Sequence, residues 1–208
     1  MPRLSKAFYG RDALTVAREL LGCLFVHDLG GTRLAVRLVE TEAYRGQIDP
    51  GSHGYRGPTA RTEVMYGPPA HLYVYFTYGM HWCANVVCAR DGVCEAVLLR
   101  AGEPLSGIEE MRTLRGGIAD DRLLTSGPAR LTQAMGITRE HNGARLVPPC
   151  AIWCAEDRLT DDFRNGPVLQ TERIGLSAGR GDDLPWRFAI DSPFASRRPR
   201  RPRPASRG

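Results

Sequence analysis

Two glutamates stand two residues apart in Val39-Glu40-Thr41-Glu42-Ala43-Tyr44, with His53 following. A second run, Tyr73-Val74-Tyr75-Phe76-Thr77-Tyr78-Gly79, carries three tyrosines into a glycine turn. A carboxylate can take a proton from water, and aromatic rings hold flat groups, cationic ones above all. Together they suit hydrolysis at a planar group, for which a nucleobase is the obvious candidate. In a strand the Cα atoms of Glu40 and Glu42 lie about 6.6 Å apart. Two partly buried carboxylates that close would push one pKa upward, which serves acid–base work. Two solvated glutamates at a strand end would have the same spacing. Tyr73 and Tyr75 share a strand face and equally suit a core. Tyr78 falls at the turn, where an exposed ring is poor core material and could wedge into a base stack. His53, Asn85 and Arg100 carry no signal alone.

Periodicity indicates the elements that must hold these groups. Residues 12–21 read as a helix, because Ala13, Val16, Ala17, Leu20 and Leu21 repeat along one face and Gly22 can stop it. Residues 23–27 read as a short strand, followed by the turn signal Gly30-Gly31. Leu34, Val36 and Leu38 alternate into a strand, and continued alternation would put Glu40 and Glu42 on their face. Residues 45–69 are rich in Gly, Pro, Asp and Ser, an irregular stretch long enough to suggest a functional loop. Strands are predicted at 72–77, 82–88 and 96–100, close enough in sequence for an antiparallel meander. Helices follow around Ile108, Met111 and Leu114 and over 128–135, the latter with Ser126 as candidate N-cap and Gly136 as stop. A strand at 151–155, a polar loop at 158–166 and the segments 173–176 and 186–190 complete the order. The architecture that follows is α+β, a single compact domain over residues 1–195 with a curved, mainly antiparallel sheet flanked by helices.

Composition sets limits on the reading. The net charge of +5 invites a nucleic-acid partner, but the stretch 196–208 holds six arginines and no acid, which leaves residues 1–195 at −1. DNA affinity of the domain must come from local clustering of arginines. The Pro/Arg-rich tail is expected to be disordered. No apolar run is long enough to span a membrane and no secretory leader is visible, so a cytoplasmic protein is expected. The six cysteines include no Cys-x-x-Cys pair, which predicts reduced thiols and no metal.

Taken together, Val39 to Tyr44, His53, Leu72 to Met80, Asn85 and Val97-Leu98-Leu99-Arg100-Ala101 resemble the alkyladenine (3-methyladenine) DNA glycosylase family of base-excision repair. Ser126-Gly127-Pro128, Arg173-Ile174-Gly175, Arg187-Phe188 and Ser192-Pro193 extend the similarity over roughly Ala7 to Ser196. The resemblance implies a monofunctional enzyme that flips damaged purines (3-methyladenine-type, hypoxanthine, ethenoadenine) out of duplex DNA and leaves an abasic site. Glu42 would activate the attacking water. Tyr44, His53, Tyr75 and Asn85 would form the base pocket, Tyr78 would intercalate, and Arg100 would hold a phosphate. Glu40 becomes a strand-end structural carboxylate and Tyr73 a packing residue. No cofactor or metal is implied, and the partner is double-stranded DNA, met as a monomer at the bacterial nucleoid. Two other readings fit the residues alone: a nucleoside or sugar glycosidase using Glu40 and Glu42 as its acid–base pair, and a lesion-binding protein without catalysis.

Overall fold

The computed structural model describes residues 1–196, so the expectation for the arginine-rich tail lies outside the described residues apart from Ser196. The chain is an α+β protein. Its sheet runs in the order β3-β4-β5-β2-β1-β6, with β7 and β8 alongside. These strands are β1 (Leu24–Leu29), β2 (Thr32–Tyr44), β3 (Leu72–Thr77), β4 (His81–Cys88), β5 (Glu95–Ser106), β6 (Ile152–Ala155), β7 (Leu169–Thr171) and β8 (Arg187–Ala189). All strand pairs are antiparallel. Gly30 and Gly31, both at positive φ, join β1 to β2, a conformation that side chains disfavour.

Helix α1 spans Lys6–Tyr9 and α2 spans Ala13–Glu19, slightly shorter than the periodicity suggested. Asp12 caps α2 by accepting from the amides of Leu14 and Thr15, which satisfies donors left free at the first turn. Val16 and Ala17 of α2 pack with Leu34, Val36 and Leu38 of β2 and with Leu131 and Met135 in the main core. The remaining helices are α3 (Glu63–Tyr66), α4 (Ile108–Leu114), α5 (Asp121–Leu124), α6 (Pro128–Ala134) and α7 (Thr160–Asn165). Helix α7 replaces the expected polar loop at 158–166, with Thr160 buried at its start. The N-cap of α6 is Gly127, not Ser126; the Ser126 hydroxyl accepts from the Arg130 guanidinium instead. Short α1, α5 and β7 have no periodicity to announce them. Among the described residues no helix is long and apolar enough to cross a membrane.

Strand β2 corrects the expected alternation. Its first half pairs with β1 and its second half with β8, while β5 runs along its other edge. Against β5 the register shifts three times, once between Ala35 and Val36 and twice around Glu40: Leu38 lies opposite Gly102, Glu40 opposite Ala101 and Thr41 opposite Leu99. Val39 is thus the extra residue on β2 and Arg100 the extra residue on β5, the signature of bulges. Leu38 and Val39 both enter the main core, and from there the odd-numbered residues face α2. The Thr41 hydroxyl donates to the Ala17 carbonyl at 2.8 Å, and Ala43 joins the same core. Glu40 and Glu42 therefore face away from Leu34, Val36 and Leu38. Unbroken alternation would have driven two carboxylates into an apolar core, at several kcal/mol each. Glu40 is also mid-strand, not at a strand end.

A deletion tests this directly. Removing Val39 should return Glu40 and Glu42 to the apolar face and abolish cooperative unfolding in urea. Val39→Ala keeps the chain length and should cost about 2 kcal/mol. Equal stability of the two variants would show that the bulge does not set the facing.

Candidate active site

The face of the sheet opposite α2 carries a row of residues directly across from one another. Tyr73 on β3 pairs with Asn85 on β4, Asn85 with Leu98 on β5, and Leu98 with Glu42 on β2. A parallel row brings Tyr75 opposite Cys83 and leads to Arg100. Over these rows lies a cavity of about 340 Å³, a size suited to one flat heterocycle. Its walls come from irregular chain: Gly51 and His53 on one side, and Ile174, Gly175 and Leu176 on the other.

The structure thus brings together Tyr44, His53, Tyr75, Tyr78, Asn85 and Arg100 around one cavity. Tyr75 and Tyr73 are stacked, with centroids 5.5 Å apart, and His53 meets Tyr75 edge-on at 4.5 Å. Tyr73 shares a hydrogen bond of 3.0 Å with His53 Nδ1. As expected it packs, buried in a small core with Met65, Val87, Cys94 and Ala96, and it also borders the cavity. Desolvation by the neighbouring rings, followed by the charge of Arg61, lowers the His53 pKa from 6.5 to about 4. His53 is nevertheless exposed to solvent, and water there screens part of the effect; its direction keeps the ring neutral at pH 7. The Asn85 amide donates to the Tyr73 carbonyl at 3.3 Å, which fixes it at the cavity floor.

Glu42 lies beneath this floor. Its carboxylate is 0% exposed and every contact is a donor: the Ile174 amide at 2.8 Å to Oε1, and the Tyr44 hydroxyl at 3.0 Å and Arg100 Nη1 at 3.1 Å to Oε2. The groups that hold it line the cavity although Glu42 itself does not. Arg100 departs from its expected setting. A phosphate ligand would sit at the surface, whereas the Arg100 side chain is 6% exposed and clamped between two carboxylates, with Nε on Glu40 at 2.8 Å. Burial opposes its charge, but Glu42 and Glu40 outweigh that and raise its pKa further.

Tyr78 stands apart at the cavity mouth. It is 81% exposed, at the tip of the β3–β4 hairpin, with φ of 51° next to Gly79 at 69°. A bulky residue in the left-handed region is strained. Met80, 70% exposed, extends the apolar tip.

Sequence reasoning missed the pair that frames the cavity. Asp49 and Arg173 form a fully buried bidentate ion pair with contacts of 2.6 and 2.7 Å. Arg173 also donates to the carbonyls of Ala43 and Gly181, and its guanidinium lies 4.6 Å from the centre of the Tyr44 ring. One side chain therefore ties the end of β2 to both loops that wall the cavity. The buried acid and the lone arginine sit far apart in sequence, and only the Gly-rich loop composition hinted that something must anchor these segments. Among the described residues no cluster of three His, Cys, Asp or Glu is arranged to hold a metal ion, and the six cysteines are free thiols.

Comparison with known proteins gives a consistent outcome. The sequence pattern described as methylpurine-DNA glycosylase (MPG) matches residues 7–193. A protein of Carboxydothermus hydrogenoformans is 48% identical over 187 residues, covering 90% of this chain and 94% of its own. One from Burkholderia lata is 47% identical over 190 residues, covering 90% and 87%, and one from Streptomyces avermitilis is 44% identical over 209 residues, covering 96% and 95%. All three bear the name "Putative 3-methyladenine DNA glycosylase".

The environment of His53 is open to a direct check. Its NMR titration midpoint should lie below the free-histidine value of about 6.5, and Arg61→Ala should move it upward by removing a neighbouring cation. A wild-type midpoint at or above the free value would mean a solvated ring that makes no lasting contact with Tyr73 and Tyr75.

Proposed function

Because the chain belongs to the methylpurine-DNA glycosylase family, we propose that it excises damaged purines from duplex DNA by hydrolysing their N-glycosidic bond. The 3-methyladenine type is the first candidate, with hypoxanthine and ethenoadenine next. The observation that carries this reading is a carboxylate, Glu42, held by three donors beneath an aromatic cavity of single-base size. A base inside a duplex could not reach it, so the nucleotide must first turn out of the helix, at a few kcal/mol and least for a damaged pair.

In this reading Tyr78 enters the stack and fills the space the nucleotide leaves. The base lies between Tyr44 and the His53–Tyr75 pair, and neutral His53 adds no positive charge against an alkylated, cationic purine. Asn85 crowds the exocyclic amino group of an undamaged guanine. Glu42 takes a proton from water, whose oxygen bonds to C1′ as the C1′–N bond breaks and its electron pair leaves with the base. A cationic base departs neutral, which is why a positioned water and a base can suffice. For water to reach Glu42 the Tyr44 hydroxyl must release Oε2, because the backbone amide and Arg100 are fixed by the fold. Arg100 serves here as the clamp on Glu42, and any phosphate contact must use the N–H groups its carboxylates leave over. The domain, residues 1–195, acts as a monomer on DNA in the cytoplasm.

The nucleoside or sugar glycosidase reading needs Glu40 as a proton donor. Burial raises its pKa, but Arg100 and Arg187 more than reverse that and hold it below the usual carboxylate range. A carboxyl in that state has no proton to give at neutral pH.

The test uses duplexes carrying one hypoxanthine or ethenoadenine, and duplex DNA alkylated with dimethyl sulfate, with released bases and alkali-labile sites quantified. Wild type should excise at least one lesion, and Glu42→Gln should lose roughly 100-fold or more in rate while still binding DNA. Unchanged excision by Glu42→Gln removes Glu42 as the base. Tyr78→Ala should lose excision from duplex far more than non-specific DNA binding; equal activity there dismisses the wedge.

A further inference from the structure

Glu40 has no part in the proposed proton transfer. Glu40 is completely buried, yet it collects four donors from three parts of the chain. Arg100 Nε at 2.8 Å, Arg187 Nε at 2.7 Å and the Ser196 hydroxyl at 2.7 Å share Oε1, and the Ser196 amide at 2.6 Å takes Oε2. Arg187 is anchored in turn by Thr171 at 2.9 Å, and Arg100 Nη2 reaches the Ser196 hydroxyl at 3.4 Å. A carboxylate needed only to fill space would be replaced at little cost by an apolar side chain.

We propose that Glu40 is a positioning residue for the hydrolysis: it fixes Arg100 so that Nη1 meets Glu42, and its charge keeps Glu42 basic against two buried arginines. The proposal rests on Glu42 being the base. The cluster holds two carboxylates and two guanidiniums, and it is balanced. Arg187 lies directly opposite Glu42 across β8 and β2, and Arg100 is bonded to it. The next nearest charge is Arg173, which lies over the Tyr44 ring and donates to the Ala43 carbonyl, and its bidentate pairing with Asp49 offsets it; Tyr44, Tyr75 and the Ile174 amide are neutral. Without the charge of Glu40, Glu42 alone would face two cations and become a weaker base. Arg100 would also lose the contact that sets the direction of its planar fork. The guanidinium would then be free to swing away from the line between Glu40 and Glu42.

The sign of the effect separates this role from a merely structural one. Release of 3-methyladenine from dimethyl-sulfate-treated duplex DNA is measured under single turnover against pH, with folding of each variant checked by thermal melting. Glu40→Gln, which keeps the shape and loses the charge, should lower the plateau rate by about 10- to 100-fold. Its acid limb should move down by about one pH unit or more. Arg187→Gln should move the acid limb the opposite way, upward, because a cation is removed. Loss of rate with both acid limbs at the wild-type position would overturn the proposal, as would a Glu40→Gln enzyme indistinguishable from wild type. If Glu40→Gln does not fold, Arg187→Gln decides alone: an upward shift supports the proposal and an unmoved limb overturns it. Glu42→Gln, run in parallel, keeps the two readings apart. Its inactivity alongside a normal Glu40→Gln defeats the role of Glu40 alone, and its full activity defeats the assignment of the base.

Discussion

Four charges with almost no water around them meet where β2, β5 and β8 come together, and the rest of the molecule is arranged to make that tolerable. Glu40, Glu42, Arg100 and Arg187 are each no more than 7% exposed. A buried ion is several kcal/mol worse off than a hydrated one unless its partners are well placed. Here every carboxylate oxygen has a donor, supplied by the two guanidiniums, by backbone amides at Ile174 and Ser196, and by the hydroxyls of Tyr44 and Ser196. The sheet fixes the strands, the far loop delivers Ile174, and the last described residue closes over Glu40. The network holds the carboxylate under the aromatic cavity in its place with a donor on each oxygen.

The bulges explain why the cluster could be seen in the sequence only in outline. Glu40 and Glu42 were recognisable as a pair because they alternate, and Tyr78-Gly79-Met80 marked the turn between two neighbouring strands; that this turn sets Tyr73 opposite Asn85 came from the structure. The α2 helix, the meander and the α+β class were legible for the same reason: hydrophobic period and turn residues act locally. The side of β2 on which the glutamates lie was not. It depends on one extra residue, Val39, whose only distinguishing mark is that Leu38 beside it is also apolar. The phase of the pattern changes there without a Gly or Pro to announce it.

Arg100 shows a second limit of the same kind. Its place near the site was legible from the family resemblance, but its surroundings were set by contacts 58 to 96 residues away along the chain: Glu40, Glu42 and Ser196. Asp49 and Arg173 belong to this class too, since a buried pair joining two irregular segments leaves no periodic trace. Sequence reading found groups that line the cavity. It missed the groups that hold those groups still, because long-range electrostatics has no local pattern.

Tyr78 bears on how the protein balances durability against use. A tyrosine with φ of 51° at a hairpin tip stores strain that glycine would relieve, on the order of 1 kcal/mol. Its ring is left in water without apolar cover, which adds to the burden. Selection for robustness alone would have put glycine or asparagine there, so this position is one where a more heat-resistant protein is within reach of a single substitution. Such a change would remove an aromatic ring held out from the cavity mouth, so under the proposed wedge role the hairpin tip is a site where stability and activity would pull in opposite directions.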